Sequence, residues 1–218
     1  MKLPTITVRA RVPAPARTPQ ALAWDAKRNV FWLGSRDLRR IYCIHPENWS
    51  VLEEKEAPGI PWAAVVTNGE LRFTIGEAPD DDRYIYRYSG NGAFAKLFAC
   101  PEFTGSYLSY DGEHLYLSQW YKHRILKFDE TGNIIGKIDI GAEICGQTFV
   151  NGLIYVLRGK EQPNEDWCIA RLDPREQIPT IEDLAVVPFA ARSLAFDGQS
   201  FWSNYRAQNT TIGFRLPL

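Results

Sequence analysis

Residues 111–132, DGEHLYLSQWYKHRILKFDETG, run through a turn, an aromatic strand, a polar-aromatic bend and a second apolar strand. The same order of phrases returns at Asp25 in DAKRNVFWLGSRDLRRIYCI and at Asp197 in DGQSFWSNYRAQNTTIGFRL, with weaker copies beginning at Asn68 and Asn151. The five starts lie 43, 43, 40 and 46 residues apart. A chain that repeats itself at this interval is built from copies of one supersecondary unit, and no copy can bury its apolar face without its neighbours.

Within each copy the apolar residues alternate over short runs, as in ALAW, VFWLGS and RIYCI, and Gly, Asn, Asp or Pro separates the runs. Alternation with period two is the signature of strands. Units of about 40 to 45 residues with four short antiparallel strands are propeller blades. The expected fold is all-β: a five-bladed β-propeller of four-stranded antiparallel blades. The 7 Trp, 10 Tyr and 11 Phe agree with this, since aromatic residues favour strands. One propeller domain over residues 1–218 is expected, with blades roughly at 18–58, 59–101, 102–141, 142–187 and 188–218. Only IPTIEDLAVV, at residues 178–187, hints at a helix, and the Pro within it makes a strand an equal reading.

The fifth copy is too short for four strands, whereas TITVRARV, residues 5–12, reads as a strand without a blade. We expect it to pair with TTIGFRL, residues 210–216, so that the N-terminal strand closes the ring and removes an open sheet edge.

A formal net charge of −1 gives no reason to expect nucleic acid or a membrane surface as partner. No run approaches the roughly 20 apolar residues of a membrane span, and the N-terminus lacks the apolar stretch of a secretory signal. A cytoplasmic monomer is expected. Cys43, Cys100, Cys145 and Cys168 form no CxxC pair and read as free buried thiols, with an active site around Cys145 as the alternative.

In a propeller the innermost strands start, and the second strands end, on one face of the disc. That face collects Gln20, Trp62, Tyr107, Gln147 and Arg192 from strand starts. From the bends after second strands come Arg36, Glu77, Gln119, Trp120, Arg158 and Tyr205. The opposite face gathers Asp, Asn and Gly turns with a backbone role. Aromatics mixed with arginines and amides suit a small-molecule or peptide ligand at the channel mouth, although the aromatics could also serve only to plug the channel. Glu77 is the acid at the end of a strand. Cut off from water by Trp it would move protons near neutral pH; beside Arg36 or Arg158 it would stay ionised. His45 falls on blade 1 and His114 and His123 on opposite faces of blade 3, so neither a metal nor a cofactor is expected.

The stretch NGLIYVLRGKEQPNEDWCIARLDP, residues 151–174, resembles the fourth-blade phrase of the plant and bacterial glutaminyl cyclotransferase family. The resemblance implies a five-bladed propeller and conversion of N-terminal glutamine to pyroglutamate with loss of ammonia. By position Glu77 matches that family's catalytic Glu, and Trp62 and Trp120 its channel walls. The family's FTQGL phrase is kept only in part, in RTPQALAW and FTGSYLSY. The functional expectation is a metal-independent cyclotransferase-, lyase- or isomerase-like enzyme acting on a small polar molecule or peptide N-terminus. The alternative is a propeller that binds a small ligand or a protein without turnover.

Overall fold

The computed structural model describes residues 2–217. A first strand, β1 (Thr7–Pro13), precedes the blades. Blade 1 holds β2 (Pro19–Asp25), β3 (Val30–Ser35), β4 (Arg40–Ile44) and β5 (Val51–Glu56), and blade 2 holds β6 (Ile60–Thr67), β7 (Glu70–Glu77), β8 (Asp82–Tyr88) and β9 (Phe94–Ala99). Blade 3 follows with β10 (Leu108–Tyr110), β11 (Leu115–Gln119), β12 (Arg124–Phe128) and β13 (Ile134–Asp139). Blade 4 has β14 (Glu143–Val150), β15 (Leu153–Lys160), β16 (Asp166–Leu172) and β17 (Glu182–Val187), so the ambiguous segment is a strand. Blade 5 has β18 (Ala191–Phe196), β19 (Phe201–Tyr205) and β20 (Thr210–Arg215), and β1 is its fourth strand. Among the described residues no helix is long and apolar enough to cross a membrane.

Each blade is antiparallel, and closure follows the expected pairing. β1 runs against β20 from Thr7 opposite Arg215 to Pro13 opposite Thr210. The chain before β1 also grips blade 4, where the Ile6 amide donates to Val186 O at 3.0 Å and the Val186 amide to Pro4 O at 2.8 Å.

Burial falls from the axis outward. β3, VFWLGS, is buried along its whole length, whereas β5, VLEEKE, alternates between exposed and half-buried. Inner strands lie between two neighbouring blades, so both faces need apolar side chains; outer strands meet water. Along β3, Phe31 packs against Trp202 of blade 5 at 5.3 Å, while Trp32 turns the other way to Tyr88 of blade 2 at 5.7 Å.

The turns of the repeat have the predicted backbone role. At Asp111 one carboxylate oxygen accepts from the amides of Glu113 and His114 at 2.8 and 2.6 Å, and the other from the Tyr116 hydroxyl at 3.0 Å. Asp197 repeats this with the amides of Gln199 and Ser200, both at 2.7 Å, and with the Trp202 indole at 2.6 Å. In blades 2 and 4 the turns are Asn68-Gly69 and Asn151-Gly152, with all four residues at positive φ, the geometry that matches strand twist in a two-residue hairpin.

Candidate functional site

The innermost strands share one irregularity at the mouth of the channel. Pairing slips by one residue between Pro19 and Ala21, between Pro61 and Ala63, between Ile144 and Gly146, and between Arg192 and Ala195. In blade 3 the Ser106 amide donates to Ser118 O and the Ser118 amide to Tyr107 O, both at 2.8 Å, so two residues again oppose one. A β-bulge re-aims a side chain out of the alternating pattern. These bulges carry Gln20, Trp62, Tyr107 and Cys145.

Gln20, Trp62 and Tyr107 meet in a cavity of about 510 Å³ at the mouth, together with Arg36, Gln119, Trp120 and Arg192 from the set singled out in the sequence. The Gln20 amide donates to the Tyr107 hydroxyl at 3.1 Å and to Trp62 O at 3.4 Å, while its carbonyl accepts from Arg206 at 2.8 Å. Because Tyr107 accepts from Gln20, its own hydroxyl proton is left to donate. Burial pushes that phenol above its ordinary pKa, so it keeps the proton at neutral pH. Gln119 serves the wall instead, donating to Pro101 O, Thr104 O and Thr104 Oγ1 at 3.0, 3.1 and 2.9 Å.

The other expected residues lie elsewhere. Glu77 does not reach the cavity: it pairs with Lys96 at 2.6 Å and accepts from the Tyr86 hydroxyl. Strand parity explains this. A Cβ on Gly76 would collide with the Asp81 carboxylate and lie 2.8 Å from Trp62 Nε1, so the residue before Glu77 faces the mouth and Glu77 faces the outer strands. Its hydrogen bonds from Lys96 and then Tyr86 hold the carboxyl below its ordinary pKa, so it is an ionised surface acid. Arg158 is tied to Asp183 at 3.0 Å and donates to Ile140 O at 2.9 Å. Tyr205 packs on Phe189 at 5.6 Å. Gln147 is two residues beyond the bulge at Cys145 and lines a smaller cavity of about 150 Å³ towards the turn end of the channel, donating to Tyr107 O and Tyr116 O at 3.2 and 3.0 Å. Cys145 is buried and lines neither cavity, and burial pushes its thiol well above the ordinary value, which favours the protonated form.

Several residues complete the mouth that the strand rule did not reach, among them Asp80, Asp81, Arg83, Tyr121, Glu161 and Arg206. All belong to loops or to the ends of second and third strands, where no period-two signal operates. Three of the basic groups are neutralised locally. Arg83 pairs with Asp81 at 3.2 Å and lies 4.0 Å over the Trp62 ring, whose indole donates to Asp81 at 2.9 Å. Arg192, buried at the hub, pairs with Glu161 and Glu165, both at 2.9 Å, donates to Ala191 O at 2.7 Å and lies 5.2 Å over Trp120. Lys122 pairs with Glu102.

Arg36 and Arg206 differ from these, since neither has a carboxylate within ion-pair distance among the described residues. Arg36 lies 5.4 Å over Trp62, and Arg206 meets only the neutral Gln20. Burial, and then the charges of Arg192 and Arg36, push the Arg206 guanidinium below its ordinary pKa. Uncompensated guanidiniums in a half-enclosed site favour a bound anion, held by charge-assisted hydrogen bonds. On the rim, Asp80 is an exposed carboxylate with no basic partner among the described residues.

No family model matches the chain, and no curated protein matches it in sequence. Solved structures do match in fold. A glutaminyl cyclase from Myxococcus xanthus superposes with a TM-score of 0.71 at 12% identity, covering 99% of this chain and 98% of that one. A gluconolactonase from Xanthomonas campestris matches at 0.67 and 15% identity, covering 99% and 85%. A virginiamycin B lyase from Staphylococcus aureus, in a catalytically inactive form with quinupristin, matches at 0.57 and 15%, covering 95% and 83%. At these identities the likeness establishes the five-bladed propeller fold of this chain and leaves its chemistry to the residues of the mouth.

Proposed function

We propose that the mouth binds a small anionic molecule and that the protein converts it in a lyase-, cyclase- or isomerase-type reaction. The observation that carries this reading is the convergence of Arg36 and Arg206, both without carboxylate partners, on a cavity whose floor presents the Tyr107 hydroxyl. The two unpaired guanidiniums favour an anion over a peptide amino terminus, because an ammonium group beside Arg36 and Arg206 would meet like charge. Enzymes recur among the similar propellers, which supports turnover in a pocket of this kind. Tyr107 and Arg206 are the groups suited to hold negative charge that develops on a substrate oxygen, as preorganised donors do. Asp80, exposed and unpaired at the rim among the described residues, is suited to take a proton from bound substrate. A ligand-binding propeller without turnover would use the same arginines, and Tyr107 separates the two readings.

Mass spectrometry of small carboxylates, phosphate esters and peptides with N-terminal Gln, incubated with the parent protein and with Tyr107→Phe, tests the proposal. We expect conversion of an anionic compound, reduced about 100-fold by Tyr107→Phe, since one oxyanion donor is commonly worth that much. Loss of ammonia from the Gln peptides would favour the cyclotransferase reading instead. Anion binding without conversion would make the protein a ligand-binding module.

A further inference from the structure

The strand that closes the ring also delivers a basic group to the mouth. Between β1 and β2 the chain crosses the junction of blades 5 and 1, and its backbone is pinned there at three points. The Ala14 amide donates to Asn209 O at 2.8 Å, the Thr18 amide to Asn209 Oδ1 at 2.7 Å, and the Ser35 hydroxyl to Arg17 O at 2.7 Å. Arg17 sits in the middle of this fixed crossing, is exposed, and has no carboxylate within ion-pair distance among the described residues.

Arg17 lines a second cavity, of about 430 Å³, that shares Arg192 and Arg206 with the mouth cavity. Arg206 therefore forms part of the wall of both. Glu165 also lines this second cavity, but its carboxylate is taken up by Arg192, through bonds of 2.9 and 3.0 Å, and by the Trp167 indole at 2.6 Å. Three guanidiniums without ion-pair carboxylates thus line two adjoining cavities, Arg36 the first, Arg17 the second and Arg206 both. A single anion at the mouth can engage Arg36 and Arg206 and leaves Arg17 uncompensated.

We infer that the ligand is an elongated molecule with two anionic groups, one held at the mouth by Arg36 and Arg206 and the second held by Arg17 in the adjoining cavity at the blade 5 and blade 1 junction. This rests on the reading of the mouth as an anion site and adds the class of ligand. Arg17 selects the doubly charged compound without touching the part of the ligand that lies against Tyr107. A monoanion of the same length gains nothing from the adjoining cavity.

Calorimetric titration of succinate, glutarate and adipate, each beside the monocarboxylate of equal chain length, tests this in the parent protein and in Arg17→Gln and Arg206→Gln. One dicarboxylate is expected to bind about tenfold more tightly than its monocarboxylate, and Arg17→Gln to remove that advantage while changing monocarboxylate affinity by less than about twofold. Arg17 is exposed, so its variant is expected to keep the parent melting temperature. Equal binding of mono- and dicarboxylates by the parent, or an advantage that survives Arg17→Gln, would overturn the second anion site and leave the mouth reading intact. Absence of binding by every carboxylate, or monocarboxylate affinity unaffected by Arg206→Gln, would overturn the mouth reading and this inference with it.

Discussion

Deletion of residues 1–13 is expected to abolish cooperatively melting protein. Without β1, blade 5 keeps three strands, and the amides and carbonyls of β20 that pair with it from Thr210 to Arg215 become an open edge. The bond that the Ile6 amide donates to Val186 of blade 4 and the one that the Val186 amide donates to Pro4 O disappear as well, and Ile6, buried in the same core cluster as Val187 and Phe214, leaves a gap between blades. The sum of a lost strand, a lost core side chain and an unlatched ring is on the order of the whole stability of a domain, about 5 kcal/mol or more. A thermal melt followed by tryptophan fluorescence is the check. A transition with parent midpoint and amplitude would show that the ring does not depend on its closing strand.

The second large effect is expected at Arg192. This guanidinium is 4% exposed, and two carboxylates, each about three-quarters shielded, depend on it. Arg192→Leu keeps bulk against Trp120 but leaves Glu161 and Glu165 without their shared ion-pair partner. Removing one member of a buried ionic group costs about 3 to 5 kcal/mol, and partial exposure of both acids puts the expected loss near the lower figure.

The pH dependence identifies the cause. Burial raises the Glu165 carboxyl, but the hydrogen bonds from Arg192 and Trp167 outweigh it and hold the group below its ordinary value. A depressed folded-state pKa adds stability that is complete above the ordinary carboxylate range near 4.3 and is lost as pH falls through the lower folded value. In Arg192→Leu, only the Trp167 bond and the charge of Arg206 still oppose burial, so the variant should lose less stability than the parent on acidification. Urea unfolding of both proteins between neutral and acid pH measures this. Parallel pH profiles would mean that Arg192 contributes packing rather than charge.

The architecture was legible in the sequence because a propeller writes its fold in repetition. Turn residues at Asp25, Asn68, Asp111, Asn151 and Asp197 set the blade interval, and the short last copy pointed to the N-terminal strand as its completion. The site was legible where bulged strand starts carried large polar or aromatic side chains, as at Gln20, Trp62 and Tyr107. It was obscured wherever one residue of parity decides the face. Gly76 holds the mouth-facing place beside Glu77, and a bulge at Cys145 places Gln147 further along the channel. At the end of β19 the residue that reaches the cavity is Arg206, while its neighbour Tyr205 packs on Phe189. Which arginines lack partners depends on contacts across blades, as between Arg192 and Glu165, and these leave no local pattern in the chain.

The central claim is that Arg206 and Arg36 hold an anion at the mouth, and calorimetric titration of the most stabilising small carboxylate or phosphate into the parent and into Arg206→Gln tests it most directly. The account predicts a single site in the parent and at least a tenfold loss of affinity in the variant, about 1.4 kcal/mol, with folding unchanged. Equal affinity in the two proteins would contradict it.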